Sequence, residues 1–438
     1  MQMDRSHLIA ASTLLLISFC STYYLQGILV PEGRHISSFQ ISGYGSDLHR
    51  ALLASRELLL NHRDPYSDAV TRDIQKGMDG DALRSGTASW DSDQQRFTYP
   101  LFTSFLLLPV LWIPFAVLQP LAIVLLTGLV VGSVLLWSDA LGISLNSGAE
   151  VLWAGLLIVW LPVIQAVSLQ QLGLLAYFLL AASAYLVAKN KLLPAGMLLG
   201  LAMIKPYMAL PMALWLAFWM CGDWRRRYKL GAAFLATITA LLAGAQILQP
   251  GWMQEWIGVV QHFRWHTQSR SPIEMLAGND LGAGLMTLAL WVLVAWFSFR
   301  LRKSEPHSPV FSAGLCLAIA AGVLSSPNWL FHNQIMLLPV GIWLLVWARK
   351  FLSGAQRLLP LTCQLTMAWY AASAALIVYA HFAGFRSDNE ILVGLPFLSI
   401  FLAPPVFFIV ALRSAIYVMR RPVVSILQGT EQQGGAVG

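Results

Sequence analysis

Charge and cysteine are both scarce in this sequence. Only 11% of its 438 residues are charged, whereas a soluble domain carries about a quarter because its surface must be solvated. The few cysteines lie far apart, in or beside apolar stretches, at Cys20, Cys221, Cys316 and Cys363. This pattern fits neither a disulfide framework nor a zinc site. A soluble globular domain and a disulfide-rich secreted domain are therefore both excluded.

Several motifs of common enzyme and transporter classes are also missing. The chain has no G-x-x-x-x-G-K-[ST] phosphate loop and no H-E-x-x-H metal motif. It lacks the run of buried acidic residues that proton-coupled transporters often carry in their spans. Two acidic pairs, Asp79-Gly-Asp81 and Asp91-Ser-Asp93, resemble metal ligands. Such pairs are common in polar loops, so we predict neither a metal site nor a cofactor.

Long apolar stretches fill most of the chain instead. Hydrophobic residues make up 57% of it, and the mean hydropathy is +0.64. Many stretches reach the length of a membrane-spanning helix, about 18 residues or more. We therefore predict an all-α polytopic membrane protein. The apolar segments lie at 8–30, 99–118, 120–137, 150–167, 172–188, 192–205, 207–220, 229–248, 282–299, 309–325, 331–348, 360–380 and 391–412.

One of these segments is irregular. Residues 99–118 are interrupted by Pro109, Pro114 and Pro120, and we interpret the segment as broken or re-entrant. This leaves about 12 transmembrane helices, an even number that puts both chain ends on one side. Non-helical backbone at membrane depth is tolerated only beside protein or a water-filled cavity, so a site is expected nearby. Residues 8–30 are interpreted as a retained first span, because no small-x-small cleavage site follows them.

Basic residues predict the orientation. The net charge of +7 comes from short runs that flank apolar segments: Lys189-Asn-Lys191, Arg225-Arg-Arg227 with Lys229, Arg300 to Lys303, Arg349-Lys350 with Arg357, and Arg413 with Arg420-Arg421. This is the positive-inside pattern of a plasma (inner) membrane protein and not a nucleic-acid surface. Two polar loops, 31–98 and 249–281, then face the periplasm or outside. We predict a single transmembrane domain over 1–421 and a disordered cytoplasmic tail over 422–438.

The first polar loop, 31–98, holds 10 of the 21 acidic residues. Within it, Ser46 to Leu60 has the apolar spacing of an amphipathic helix lying on the membrane surface, with Ser46 as its N-cap. Asp47 then occupies the first helical turn. A carboxylate there can simply complement the helix dipole, or it can carry chemistry. The sequence alone leaves both interpretations open.

Lys205 is a second candidate. It interrupts the otherwise uncharged stretch from Leu192 to Met220. A charge within a span costs on the order of 3 kcal/mol and is usually functional or paired. Pro206 breaks the helix at this point. Lys205 can therefore bind a phosphate as a point charge, or it can snorkel from a helix end.

Three further polar positions are expected at the same outer level. His332 lies in the polar interruption Ser325–Asn333 and can position a phosphate or shuttle a proton. A purely interfacial histidine is the alternative. Gln170 and Gln171 open another span and can hydrogen-bond a sugar.

Taken in order, these residues resemble the GT-C membrane glycosyltransferases, specifically the family-87 polyprenyl-phosphate-mannose-dependent mannosyltransferases. Four stretches carry the resemblance: Asp47 to Asp64-Pro-Tyr66, Phe97-Thr-Tyr-Pro100, Gln171 to Lys205-Pro206, and Ser326-Pro327 to His332. The chain departs from the family pattern at three positions. Gln170 replaces a usual glycine, Leu101 replaces a second proline, and Asn333 stands where histidine or an aromatic residue is common.

The resemblance implies a GT-C-like fold with a long first extracytoplasmic loop that contains amphipathic helices. It also implies an inverting transfer of a sugar, most often mannose with arabinofuranose as an alternative, from a polyprenyl-phosphate donor to a glycolipid or glycan acceptor. A transporter or flippase of lipid-linked sugars is the alternative function. The residues implied are Asp47 as general base, Lys205, His332, Arg50 and Arg56 on the donor phosphate, and Gln171, Tyr99 and Asn333 on the substrate.

Overall fold

The computed structural model describes residues 46–79, 95–143, 147–158, 160–267, 270–327, 331–344 and 403–420, with a few isolated helical positions elsewhere. Several sequence predictions fall outside these residues: the span at 8–30, the acidic pair Asp91-Ser-Asp93, most of 360–380 and the tail 422–438. Within the described ranges every regular element is helical and no strand occurs.

The described ranges contain sixteen α-helices. They are α1 Asp47–Asn61, α2 Asp68–Asp79, α3 Thr103–Leu107, α4 Phe115–Ala140, α5 Ser147–Ile158, α6 Leu161–Ser168, α7 Gly173–Ala188, α8 Leu192–Leu201, α9 Pro206–Gly222, α10 Trp224–Leu248, α11 Trp252–Thr267, α12 Pro272–Ala277, α13 Asp280–Leu301, α14 Pro309–Leu324, α15 Leu337–Trp343 and α16 Ala403–Arg420. Short 3₁₀ helices lie at Leu108–Val110, Ala202–Ile204 and Phe331–Met336.

Four of these helices, α4, α10, α13 and α16, are long and apolar enough to cross a membrane. Shorter apolar helices lie at α7, α9, α14 and Leu192–Ile204. Together with the helical content, these elements make the chain an all-α membrane protein, as predicted. The count of about 12 spans stays a prediction.

The irregular segment after the first polar loop is broken, as expected. Only the short helix α3 and one 3₁₀ turn form before Pro114, which stands immediately ahead of α4. The prediction was wrong about Pro120, which lies inside α4 and does not interrupt it. Pro120 is the sixth residue of α4; it removes one intrahelical hydrogen bond, and the helix continues through it.

The described part of the polar loop has its own hydrophobic core and does not lie apart from the bundle. Leu52 of α1 and Val70 of α2 are buried together with Phe97 and Phe102 of the following stretch. Trp252, at the start of α11, packs edge-on against Phe102 with ring centroids 6.1 Å apart. The two polar regions therefore pack on one another, and α1 is packed against the rest of the helices.

Two other boundaries differ from the sequence prediction. The polar connection 249–281 holds the helices α11 and α12. The last apolar segment, predicted at 391–412, is described as α16, which continues through Arg413 to Arg420. It continues because Ser414, Ala415 and Val418 are buried, so the inward face of the helix extends beyond its first charge.

Candidate active site

Lys205 lies at a break between two helices. The 3₁₀ helix Ala202–Ile204 ends before it, and α9 begins at Pro206. A residue that precedes proline is pushed out of the helical region, and Lys205 accordingly has φ −125° and ψ 81°. Proline is favoured at the first helical position because it needs no N–H donor there. The Lys-Pro pair therefore fixes both the break and the position of the lysine.

A tight turn joins α6 to α7 and lies at the centre of the site. Gln170 has φ +49°, and its N–H donates to the Val167 carbonyl while the Gln171 N–H donates to the Ala166 carbonyl, at 3.0 and 2.9 Å. These two bonds define a Schellman motif, in which glycine is the usual left-handed residue. The structure thus explains why glycine is common at position 170 in the family that the sequence resembles.

The N-terminus of α1 is bound directly to this turn. The Asp47 N–H donates to the Leu169 carbonyl at 2.9 Å. The Ser46 hydroxyl donates to Gln170 Oε1 at 2.6 Å and also accepts the His49 N–H at 3.2 Å, which makes Ser46 the N-cap as predicted. Ser46 and Gln170 are 0% and 1% exposed. Two hydrogen bonds therefore fix the backbone position of Asp47.

The Asp47 carboxylate is held by an arginine one turn along α1. Arg50 Nη2 lies 2.9 Å from Asp47 Oδ1, and the two side chains are 7% and 19% exposed. The same Nη2 donates to Gln95 Oε1 at 2.8 Å. The carboxylate is thus oriented from one side and remains partly accessible. Arg50 contacts Asp47 here, and its predicted role on a donor phosphate stays a prediction.

Lys205 is enclosed by aromatic rings and one amide. Its Nζ donates to Gln171 Oε1 at 3.0 Å, and it lies 5.1 Å from the centroid of the Tyr99 ring and 5.7 Å from that of Tyr207. Only 8% of the residue is exposed. The lysine is therefore a buried cation that is hydrogen-bonded to an amide, and not a snorkelling side chain.

Tyr99 connects the acidic and basic parts of the group. Burial raises the pKa of Tyr99 to about 12; among the nearby charges, the Lys205 ammonium lowers this pKa and the Asp47 carboxylate raises it. The Tyr66 hydroxyl fixes the backbone here by donating to the Tyr99 carbonyl at 2.9 Å. Lys205 lies 5.1 Å from the centre of the Tyr99 ring, and Asp47 is close enough to act on the same side chain.

His332 and Asn333 lie on the 3₁₀ helix Phe331–Met336, which packs against α6. The His332 backbone N–H donates to Gln165 Oε1 at 3.1 Å, and Asn333 Oδ1 accepts the Tyr207 hydroxyl at 3.0 Å. The His332 side chain is buried, and neither ring nitrogen has a hydrogen-bond partner among the described residues. Lys205 acts electrostatically on this ring.

Arg56 is not part of this group. Its Nε donates to the Leu111 carbonyl at 2.6 Å, and its Nη2 donates to the Ile113 carbonyl at 2.5 Å. These carbonyls belong to the broken segment before α4, where helical bonds are missing. Arg56 therefore supplies hydrogen bonds to irregular backbone, whereas the other seven predicted residues gather around the turn at 169–171.

Three neighbours in the site were not predicted. Tyr207 follows the Lys205-Pro206 pair directly, and this adjacency could have indicated it as a residue of the site. Gln165 is the lone polar side chain between Leu161 and Val167, which was a usable signal for a buried partner. Gln95, which contacts Arg50, sits in a polar stretch where nothing distinguishes it.

The arrangement combines a partly exposed carboxylate with a buried ammonium and an imidazole that has free hydrogen-bonding capacity. A cation in a dry pocket interacts with an anion far more strongly than it does in water. A carboxylate within hydrogen-bond reach of a hydroxyl can accept its proton. The site can therefore bind an anionic group and activate a hydroxyl beside it.

Comparison with known proteins identifies the family. The family model described as glycosyltransferase family 87 matches residues 97–327, just over half of the chain. Tyr99, Gln171 and Lys205 lie inside the match, whereas Asp47 and His332 lie outside it. No curated protein matches this sequence. The match confirms the family assignment that the sequence motifs indicated, and not its finer details: this chain belongs to glycosyltransferase family 87.

Proposed function

We propose that this protein transfers a sugar from a polyprenyl-phosphate donor to the hydroxyl of a glycolipid or glycan acceptor, with mannose, the commonest sugar in the family that the sequence resembles, as the first candidate. The observation that carries the proposal is the shared turn at 169–171, which binds Asp47 through the Leu169 carbonyl and Lys205 through Gln171. A base for the acceptor and a cation for the donor phosphate are thereby held side by side.

Asp47 is the general base in this proposal. The acceptor oxygen attacks the anomeric carbon, its proton passes to the Asp47 carboxylate, and the bond from the anomeric carbon to the phosphate oxygen breaks. The bonding electrons leave with polyprenyl phosphate. A single displacement inverts the anomeric configuration. Arg50 supports this step by holding Asp47 Oδ1 at 2.9 Å, which fixes the orientation of the carboxylate.

Lys205 stabilises the leaving group in this proposal. The departing phosphate gains negative charge in the transition state, and a fixed cation in a water-poor site lowers the barrier most where charge develops. His332 offers two ring nitrogens that have no partner among the described residues, so it is the second candidate contact to the phosphate. Tyr99 and Asn333 shape the sugar pocket.

The site opens on the outer face of the plasma membrane in this account. The short basic runs at the starts of α8 and α10 and the end of α13 favour the cytoplasmic side for those helix ends. The turn at 169–171 and the Lys205 break lie at the opposite ends of α7 and α8. A lipid-linked donor would therefore enter from the outer leaflet.

A transporter or flippase of lipid-linked sugars is the alternative. Many transporters carry paired broken helices in two related halves. The sequence has no second copy of the Lys205-Pro206 pair or of the Asp47 stretch. A carboxylate fixed beside a buried lysine also has a direct use in group transfer, whereas translocation needs no base.

The test is a transfer assay with the purified protein, polyprenyl-phosphate-mannose and a glycolipid acceptor. We expect wild-type turnover to fall by about 10²- to 10⁴-fold in Asp47→Asn, the usual contribution of a general base. Lys205→Met should lower turnover as well. Asp68→Asn is the matched control, because Asp68 lies in the same loop but pairs with Arg96 and has a 71% exposed side chain.

The assay separates the two functions. Equal turnover in the wild type and Asp47→Asn, at equal expression, would exclude Asp47 as the base. Movement of the donor lipid between the leaflets of a vesicle membrane, without formation of a glycoside, would favour the flippase.

A further inference from the structure

A groove lies along the outside of the helix pair α8 and α10, away from the active site. It has a volume of about 1040 Å³, and it is bounded by Lys191 and Lys229 at one end and by Ala240 and Leu241 at the other. None of its lining residues belongs to the group around Lys205. Its shape and charge need a separate explanation.

Close packing of two parallel helices builds this groove. Gly196 of α8 lies so near the Leu230 carbonyl of α10 that an added Cβ would be 2.2 Å from its oxygen, and Gly200 similarly meets Thr237. The order of these contacts shows that α8 and α10 run in the same direction. Small residues at positions i and i+4 allow such approach of helices in membranes. The side chains beside this contact line the open groove.

The two ends of the groove differ in chemistry. Lys191, immediately before α8, and Lys229, in the second turn of α10, are exposed, and neither forms a salt bridge with an acidic residue in the described part of the chain. Nearby Lys189, in contrast, is paired with Asp139 at 2.8 Å. Tyr228 stands beside the free lysines and is 45% exposed. This end is cationic and offers hydrogen-bond donors.

The rest of the groove is lined by apolar and small side chains. Leu193 and Met197 of α8 are exposed along one side, and α10 contributes small side chains, including Ala232, Ala236 and Ala240. From Lys229 to Leu241 the helix rises about 18 Å at 1.5 Å per residue. This length is close to half of the hydrocarbon core, which is about 30 Å thick.

We propose that the groove is a binding site for an anionic phospholipid of the leaflet that faces the basic helix ends. The lipid phosphate would lie between Lys191 and Lys229, and one acyl chain would follow the alanine face of α10. The one-leaflet length fits a phospholipid and not the longer chain of a polyprenyl donor. Basic residues near a membrane surface attract anionic lipid headgroups.

The test compares two lipids that differ only in headgroup charge. Purified, delipidated full-length protein is mixed with phosphatidylglycerol or phosphatidylcholine of identical acyl chains. Bound lipid is counted by native mass spectrometry, and the melting temperature of each sample is measured. We expect phosphatidylglycerol to remain bound and to raise the melting temperature by several degrees, and phosphatidylcholine to do neither. Lys191→Gln with Lys229→Gln should abolish the difference.

Two further variants keep the result interpretable. Ala236→Phe should displace the lipid by filling the groove without a change of charge. Arg300→Gln with Lys303→Gln removes two charges at the end of α13 and should retain the lipid. Equal retention of both lipids, equal loss in the two charge variants, or displacement of phosphatidylglycerol by polyprenyl phosphate would each overturn the proposal.

Discussion

At the scale of single residues, the bond between Ser46 and Gln170 is the most informative contact. It joins positions 124 residues apart, at 2.6 Å, and both side chains are buried. Gln170 adopts a left-handed conformation that costs a non-glycine residue about 1–2 kcal/mol. Its side chain offsets part of that strain by accepting the Ser46 hydroxyl. Replacement of the usual glycine therefore gives this chain an additional tie between α1 and the turn.

Ser46→Ala should lower the rate of transfer more than the affinity for substrate. The change leaves Gln170 Oε1 buried without its donor, at a cost of about 1–3 kcal/mol, and loosens the N-cap that fixes Asp47. We expect kcat to fall with KM nearly unchanged, and Ser46→Thr to restore it. Steady-state kinetics measure both.

Ser55→Ala is the control for this prediction. Ser55 is also buried in α1 and bonds Ser104 Oγ at 2.9 Å, but it does not contact the turn. If Ser55→Ala lowers kcat as much as Ser46→Ala does, the effect belongs to general helix stability and the positioning role is wrong.

His49 should make stability depend on pH. Burial, followed by the charge of Arg56, lowers the pKa of His49 below its ordinary value. The unfolded chain therefore binds the proton more readily than the folded chain does. The contribution of neutral His49 to folding stability is complete above about pH 6.5 and is lost as the pH falls below that value. We expect the melting temperature to drop between pH 7.5 and 5.5, and to drop less in His49→Asn. Parallel profiles for the two proteins would contradict this assignment.

At the scale of elements, local chemistry was a good guide. The helix predicted from Ser46 to Leu60 is found at Asp47–Asn61, because an N-cap, an acidic first turn and apolar spacing all act within a few residues. The break at Lys205 was predicted for the same reason, since proline restricts its own neighbour. The interpretation of Pro120 was wrong because the loss of one hydrogen bond does not end a long apolar helix.

The packing of elements was not predictable from these patterns. Nothing near Gln171 in the sequence indicates that its amide meets Lys205, and nothing near Arg56 indicates that it bonds the carbonyls of Leu111 and Ile113. Such contacts depend on which helices become neighbours. The sequence could name candidate residues of the site, but the turn that joins them only becomes visible in three dimensions.

Gly196→Ala should destabilise the pair α8 and α10. The new methyl group would lie 2.2 Å from the Leu230 carbonyl oxygen, so the helices must separate, at a cost of about 1–3 kcal/mol. Gly132→Ala in α4 is the matched control, since no atom lies within 4 Å of its added Cβ. We expect a lower melting temperature in detergent for the first variant only. An unchanged melting temperature for Gly196→Ala would contradict the close packing.

At the scale of the whole molecule, the site is built from five parts of the chain: the start of α1, the stretch around Tyr99, the turn at 169–171, the Lys205 break and the 3₁₀ helix that carries His332. Each part is short, and each is held in place by an adjoining helix or by a hydrogen bond. A membrane protein can keep an irregular backbone at such a place where it is buried among other parts of the protein.

The proposed orientation can be measured by cysteine labelling in intact cells. In a cysteine-free background, Asp68→Cys should react with a membrane-impermeant thiol reagent from outside, because it lies in the first polar loop. Arg225→Cys, at the exposed start of α10, should react only after the membrane is permeabilised. The reverse labelling pattern would place the site on the cytoplasmic side.

The central claim is that one turn brings a base and a phosphate-binding cation together. A structure determined with a polyprenyl-phosphate-sugar analogue bound tests it most directly. The account predicts a phosphate oxygen within about 2.7–3.2 Å of Lys205 Nζ, with the anomeric carbon facing the Asp47 carboxylate. A donor bound elsewhere, with its phosphate away from Lys205 or its sugar out of reach of Asp47, would contradict the account.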